Sequence, residues 1–154
     1  MSMLTIGDQM PVFELEDQNG QLFSSASLQG KKAILFFYPR DLTPTCTVEV
    51  CNLRDHYTDL KKMGYLLIGV STDPVAMHKR FAERNKLPYP LLADVDASLS
   101  KAFGVWGPKK FMGREIIGIK RTTFLIDESG SISHIFEKVK SKEHAEQIQA
   151  AVKS

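Results

Sequence analysis

Two stretches of the chain are apolar without interruption, Ala33-Ile34-Leu35-Phe36-Phe37-Tyr38 and Tyr65-Leu66-Leu67-Ile68-Gly69-Val70-Ser71. Short continuous runs of this kind predict strands covered on both faces. After the first run, Leu53, Tyr57 and Leu60 recur at helical spacing. They predict one long helix, capped by Thr43, with Pro44 in its first turn and its end near Gly64. Asp73 and Pro74 predict the cap and first residue of a second helix that carries Val75, Phe81 and Ala82. Leu91–Ala93 reads as a short strand, and Ser98–Phe103 as a short helix closed by Gly104. Upstream, Val12–Leu15 and Gln21–Phe23 flank Asp17-Gln18-Asn19-Gly20, the pattern of a tight hairpin. Ser27–Gly30 reads as a turn into the first buried strand. Downstream, Thr122–Ile126 and Ser131–Phe136 form a second hairpin around Asp127–Gly130. Ser141 precedes a final amphipathic helix that ends near Val152. Residues 104–118 are glycine-rich and fit no single element. The alternation of strands and helices, closed by a hairpin and a helix, predicts an α/β fold.

Composition narrows the class. A chain of 154 residues suits one domain, spanning 1–154, with no repeat, low-complexity tract or linker. The hydrophobic content of 43% and charged content of 25% are those of an ordinary soluble globular protein. A net charge of +2 gives no argument for nucleic acid or an anionic membrane. No apolar run approaches a membrane span, and the start lacks the basic and apolar regions of a signal peptide. Two cysteines do not make a secreted disulfide scaffold. A cytoplasmic location with catalytic or redox use of the cysteines is expected.

Both cysteines fall in Pro39-Arg40-Asp41-Leu42-Thr43-Pro44-Thr45-Cys46-Thr47-Val48-Glu49-Val50-Cys51, where a buried strand hands over to a helix. Cys46 is expected in the first helical turn, among N–H groups without helical partners, which favour a thiolate. Bringing an ordinary thiol from about 8.5 to about 6 takes roughly 3.4 kcal/mol, and a helix end supplies roughly 0.3–2 kcal/mol. A reactive thiolate here therefore calls for a nearby cation or further hydrogen bonds, and the spacing alone does not say which cation. Cys46 and Cys51, five residues apart on a helix, would have Cα atoms roughly 8–9 Å apart, beyond the about 7 Å that a disulfide tolerates. The pair is a poor staple and a plausible switch. Two thiolates without further ligands do not make a metal site, and His56, His78, His134 and His144 form no paired ligand motif. Arg121 reads equally well as a surface residue at a strand entrance or as a site residue, and as a generic charge the adjacent Lys120 would serve as well. Lys109 and Lys110 read as solvated, Asp94 and Asp96 as loop residues, and Trp106 and Phe111 as packing residues. Glycine patterns that bind nucleotide phosphates are absent.

Pro39, Thr43 and Cys46 fit the Pro-x-x-x-Thr-x-x-Cys signature of the peroxiredoxins. The continuation to Cys51, with Phe103-Gly104-Val105-Trp106-Gly107, Phe111-Met112-Gly113 and Arg121–Asp127, resembles the bacterioferritin comigratory protein or peroxiredoxin Q subfamily. The likeness runs in order over nearly the whole chain. One departure is Thr45, where the subfamily more often has glycine. The resemblance implies a thioredoxin-like fold, a central mixed sheet flanked by helices, with an N-terminal β-hairpin extension. It implies a peroxidatic Cys46, a resolving Cys51, and Thr43, Arg121 and Pro39 completing the site. The expected activity is thiol-dependent reduction of hydrogen peroxide and organic hydroperoxides, recycled by thioredoxin or glutaredoxin. No metal or organic cofactor is implied; a monomer is expected, with a dimer as the alternative. Rival readings are a thiol–disulfide oxidoreductase, which would want a Cys-x-x-Cys spacing, and a non-catalytic interaction protein with a redox-sensitive pair.

Overall fold

The computed structural model describes residues 3–153, with the side chain of Phe111 outside the described set. In chain order the elements are β1 (Glu14–Glu16), β2 (Leu22–Ser24), β3 (Lys32–Phe37), α1 (Pro44–Asp55), α2 (Tyr57–Lys62), β4 (Tyr65–Ser71), α3 (Val75–Asn85) and β5 (Leu91–Ala93). They continue with α4 (Ser98–Phe103), β6 (Trp106–Phe111), β7 (Arg114–Ile119), β8 (Thr122–Ile126), β9 (Ile132–Phe136) and α5 (His144–Lys153). Short 3-10 turns at Ser25–Leu28 and Ser141–Glu143 lead into β3 and α5.

The central sheet has the order β5-β4-β3-β8-β9. β3 runs parallel to β4 and antiparallel to β8, so the sheet is mixed. Alternate residues of β3 and its extension separate two cores. Ile34, Phe36 and Tyr38 pack with Val50, Leu53, Phe81 and Ile148 from the side of α1, α3 and α5. Ala33, Leu35 and Phe37 pack with Phe13, Leu99, Phe103 and Ile119 on the other side. That is why the run reads as continuously apolar. Gly69 lets β4 pass close to its neighbours: a Cβ there would lie 2.7 Å from Phe36 Cζ and 2.8 Å from Leu91 Cδ2. Among the described residues no helix is long and apolar enough to cross a membrane.

Several sequence expectations are corrected. The helix from Pro44 is not continuous to Gly64 but breaks at His56. His56 Nδ1 lies 2.9 Å from the Asn52 carbonyl oxygen, while its backbone N–H reaches the same oxygen at 3.3 Å. A side chain that shares a helical acceptor loosens the turn at that point. Asp73 does not cap α3; Pro74 holds the cap position, and the Asp73 carboxylate accepts from Asp41 N–H and the Ser71 hydroxyl. Asp94 lies in the loop between β5 and α4, as expected, but it is not free. It is buried and accepts from the N–H groups of Leu99 and Ser100 at 3.0 and 2.7 Å, fixing the start of α4. The unassigned stretch 104–118 holds most of the β6–β7 hairpin, closed by Met112 and Gly113, both at positive φ. Two such residues make the tight turn that matches strand twist.

Candidate active site

Pro44 has no N–H, and the Thr47 N–H reaches the Thr43 carbonyl at 2.9 Å. The donors left without helical carbonyls in the first turn are those of Thr45 and Cys46. Cys46 is the third residue of α1 and is 1% exposed. The cation comes from the sheet register. Phe37 at the end of β3 pairs with Thr122 at the start of β8, so Arg121 stands beside the β3–α1 junction. Its Nη2 donates to Cys46 Sγ at 3.1 Å. Its Nη1 donates to Glu49 Oε1. Glu49 lies three residues beyond Cys46, on the same helical face. It is fully buried, and its Oε2 has no hydrogen-bond partner among the described residues. Burial pushes the Glu49 carboxyl up to about 7, against the opposing pull of Arg121. Burial alone would lower Arg121, but the charges of Glu49 and Cys46 outweigh it and hold the guanidinium above its ordinary value.

The other expected residues lie on the same helix or its entrance loop. Pro39 is half-buried just past β3. Thr43 has the extended backbone of a cap residue, but its side chain does not cap α1; the hydroxyl donates to the Arg40 carbonyl at 2.9 Å. The cap reading of that side chain is therefore corrected. Cys51 is half-buried on α1, and its thiol lies 3.5 Å from Asn85 Oδ1 at the end of α3. Both cysteines are free and both are helical. The arrangement is a buried thiol under a guanidinium, at a helix N-terminus, with a second thiol further along the helix.

Residues 6–135 match the family model described as AhpC/TSA family. The chain is 44% identical to peroxiredoxin Bcp of Escherichia coli strain K12 over 144 residues, 94% of this chain and 92% of that one. It is 41% identical to peroxiredoxin Bcp of Bacillus subtilis strain 168 over 141 residues, 92% of this chain and 90% of that one. Its fold matches the bacterioferritin comigratory protein of Xanthomonas campestris, a structure described with alkyl peroxide reduction activity, at a TM-score of 0.85 and 32% identity. That likeness covers 92% of this chain and 90% of the other. The chain is a peroxiredoxin of the AhpC/TSA family. It is a thiol-dependent peroxidase with a thioredoxin-like fold, and the family draws its electrons from a thiol reductant such as thioredoxin.

Three groups near the peroxiredoxin site were not legible as such. Glu49 draws no reading of its own from the sequence; the signal available is its place one turn after the cysteine. Lys109 is not solvated but half-buried, with Nζ donating to the Ile119 carbonyl at 2.6 Å. Burial lowers its pKa, and Arg121 lowers it further. His144 is buried with Nδ1 donating to Gln147 Oε1 at 3.0 Å and Nε2 accepting from the Thr123 hydroxyl at 2.7 Å. Burial pushes it down to about 4, the Gln147 bond opposing and the Arg121 charge adding. Asp41, Asp73 and His78 are the one cluster of three potential metal ligands among the described residues. His78 Nδ1 and Asp41 Oδ2 are 2.6 Å apart, too close for an ion between them, and His78 Nε2 donates to the Leu92 carbonyl.

Proposed function

We propose that Cys46 is the peroxidatic cysteine and Cys51 the resolving cysteine of this peroxiredoxin, within one domain spanning residues 1–154. The observation that carries the assignment is the 3.1 Å approach of Arg121 Nη2 to the buried Cys46 Sγ. The Cys46 thiolate attacks one peroxide oxygen and becomes a sulfenic acid, while the other oxygen leaves as water or an alcohol after taking a proton. The Arg121 fork holds the thiolate with one N–H and presents further donors to the polarising O–O bond. Glu49 fixes the guanidinium through its other amine. The first-turn N–H groups add to the same field, and we assign Thr43 and Pro39, on the loop leading into α1, to the same site. Cys51 then condenses with the sulfenic acid, forming the disulfide and releasing water. A dithiol protein, thioredoxin or glutaredoxin, returns both thiols by exchange.

Hydrogen peroxide and organic hydroperoxides are the substrates, the latter supported by the alkyl peroxide activity of the Xanthomonas relative. Neither a metal nor an organic cofactor takes part in these steps. The two free cysteines suit a reducing cytoplasm. The test separates the two thiols. Cys46→Ser abolishes peroxide consumption, whereas Cys51→Ser keeps a single oxidation and loses thioredoxin-dependent turnover. Equal inertness of both variants in a single-turnover assay overturns the division of roles.

A further inference from the structure

The loop between β3 and α1 carries Pro39 and Thr43, and Asp41 stands midway between them. Asp41 is buried together with Tyr38 and His78. Its Oδ1 accepts from the Tyr38 hydroxyl at 2.6 Å, and its Oδ2 lies 2.6 Å from His78 Nδ1 on α3. His78 Nε2 donates to the Leu92 carbonyl of β5 at 2.9 Å. The Asp41 backbone N–H donates to Asp73 Oδ2 at 2.8 Å, and that oxygen also accepts from the Ser71 hydroxyl at 2.7 Å. One loop residue is thus bonded to the end of β3, the turn before α3 and α3 itself, and through them to β4 and β5.

Such a network is an inefficient way to stabilise a core. Buried polar groups must all find partners to offset their desolvation, so a buried network of this kind points to geometry rather than stability. The backbone just after Asp41 requires that geometry. Leu42 sits at φ 64, a conformation that non-glycine residues hold only when their surroundings impose it. Thr43 then starts α1, and its hydroxyl turns back to Arg40.

We propose that Asp41, clamped by Tyr38, His78 and Asp73, is a positioning residue for the peroxide step: it fixes the 39–43 loop against the Cys46 thiolate and stays fixed when α1 rearranges for disulfide formation. The proposal rests on the assignment of Cys46 above. Asp41→Asn keeps the volume and replaces one of the two acceptor oxygens facing Tyr38 and His78 with an amide donor. Tyr38→Phe removes one hydroxyl from the network. The readouts are the rate of Cys46 oxidation by hydrogen peroxide, the rate of Cys46–Cys51 disulfide closure, and the melting temperature of the reduced protein.

Misplacement of reacting groups by about 1 Å is enough to slow a step on the order of a hundredfold. On that scale Asp41→Asn slows Cys46 oxidation by about tenfold or more, and Tyr38→Phe by a smaller factor. Disulfide closure changes less than twofold, roughly, in either variant, because the loop is not the part that moves. Oxidation at the wild-type rate in folded Asp41→Asn overturns the proposal. So does slowing of both steps in proportion to a fall in melting temperature, the mark of general destabilisation. If Asp41→Asn does not fold, Tyr38→Phe decides on the same two criteria. A wild-type Cys46 oxidised no faster than a free thiol overturns the peroxidatic assignment and the anchor together, whereas fast oxidation in wild type and both variants removes the anchor alone.

Discussion

Glu49 and His144 pull the pH dependence of stability in opposite directions, and substituting one unmasks the other. Burial holds the Glu49 carboxyl at about 7, above an ordinary value of 4.5. The native state therefore keeps a proton that the unfolded chain releases, and stability from this group is full below pH 4.5 and is lost as pH rises to 7. Burial holds His144 at about 4, below an ordinary 6.5. Its contribution has the reverse sign, full above pH 6.5 and lost as pH falls to 4. At about 1.4 kcal/mol per pH unit, each effect is worth about 3 kcal/mol across its window. In the wild type the two nearly cancel between pH 4.5 and 6.5. Glu49→Gln removes one of them. Urea unfolding of the reduced protein from pH 4.5 to 7.5 measures the consequence, with the difference between variant and wild type cancelling all other groups. The variant gains about 3 kcal/mol relative to wild type over that range, whatever constant offset the altered Arg121 contact adds. A difference that stays constant with pH refutes the placement of a proton on buried Glu49.

Arg121→Lys keeps the charge but loses the fork that serves Cys46 and Glu49 together. Cys46 oxidation slows by about tenfold or more in single-turnover stopped flow, and a wild-type rate removes Arg121 from the site. Gly69→Ala drives a methyl into Phe36 and Leu91 and lowers stability by about 1–3 kcal/mol, read from the urea midpoint; an unchanged midpoint contradicts the close packing of β4.

The parts of the fold that were legible share a physical property: their sequence pattern is set by their own burial. β3 and β4 read as strands because both faces are covered, and α1 announces its start through Pro44. The β6–β7 hairpin did not, because Ile116 and Ile117 are exposed while Lys109 tucks its amine against the Ile119 carbonyl. That reverses the polar and apolar signals a period search relies on. The break at His56 was hidden because it depends on which oxygen an imidazole faces. Within the proposed site, Cys46 and Cys51 stand out in the sequence by type and spacing. Arg121 is 72 residues from its partner Glu49 and 75 from Cys46. Only the β3–β8 register brings them together, and nothing local in the chain encodes it. Asp41 and His78 are 37 residues apart for the same reason.

The tethers along α1 decide how two helical thiols can meet. Its C-terminal half is bound from outside the helix. Asn52 Oδ1 accepts from Ala145 N–H at 2.7 Å and Asn52 Nδ2 donates to Glu146, both on α5. Arg54 donates to the Asn85 carbonyl at 2.7 Å, and the Tyr89 hydroxyl donates to the Val50 carbonyl at 2.8 Å. Its N-terminal half is held chiefly by Arg121, through Cys46 and Glu49, and by the bonds of Thr47 to Thr43. On the proposed assignment, oxidation of Cys46 alters the sulfur that Arg121 contacts, so the weaker half gives way and Cys46 travels toward Cys51. Withdrawing Val50 from the core would add about 1.5–3 kcal/mol, which favours unwinding that begins at Pro44 and stops short of α2. Amide exchange on the disulfide form tests this. The N–H groups of residues 47–53, whose helical acceptors lie at 43–49, lose protection, while Leu60 and Met63 in and after α2 and the strand β3 keep theirs. Unchanged protection over 47–53 would mean that the thiols meet without unwinding. Loss that extends through Leu60 would mean that the Asn52 and Arg54 tethers do not bound the motion.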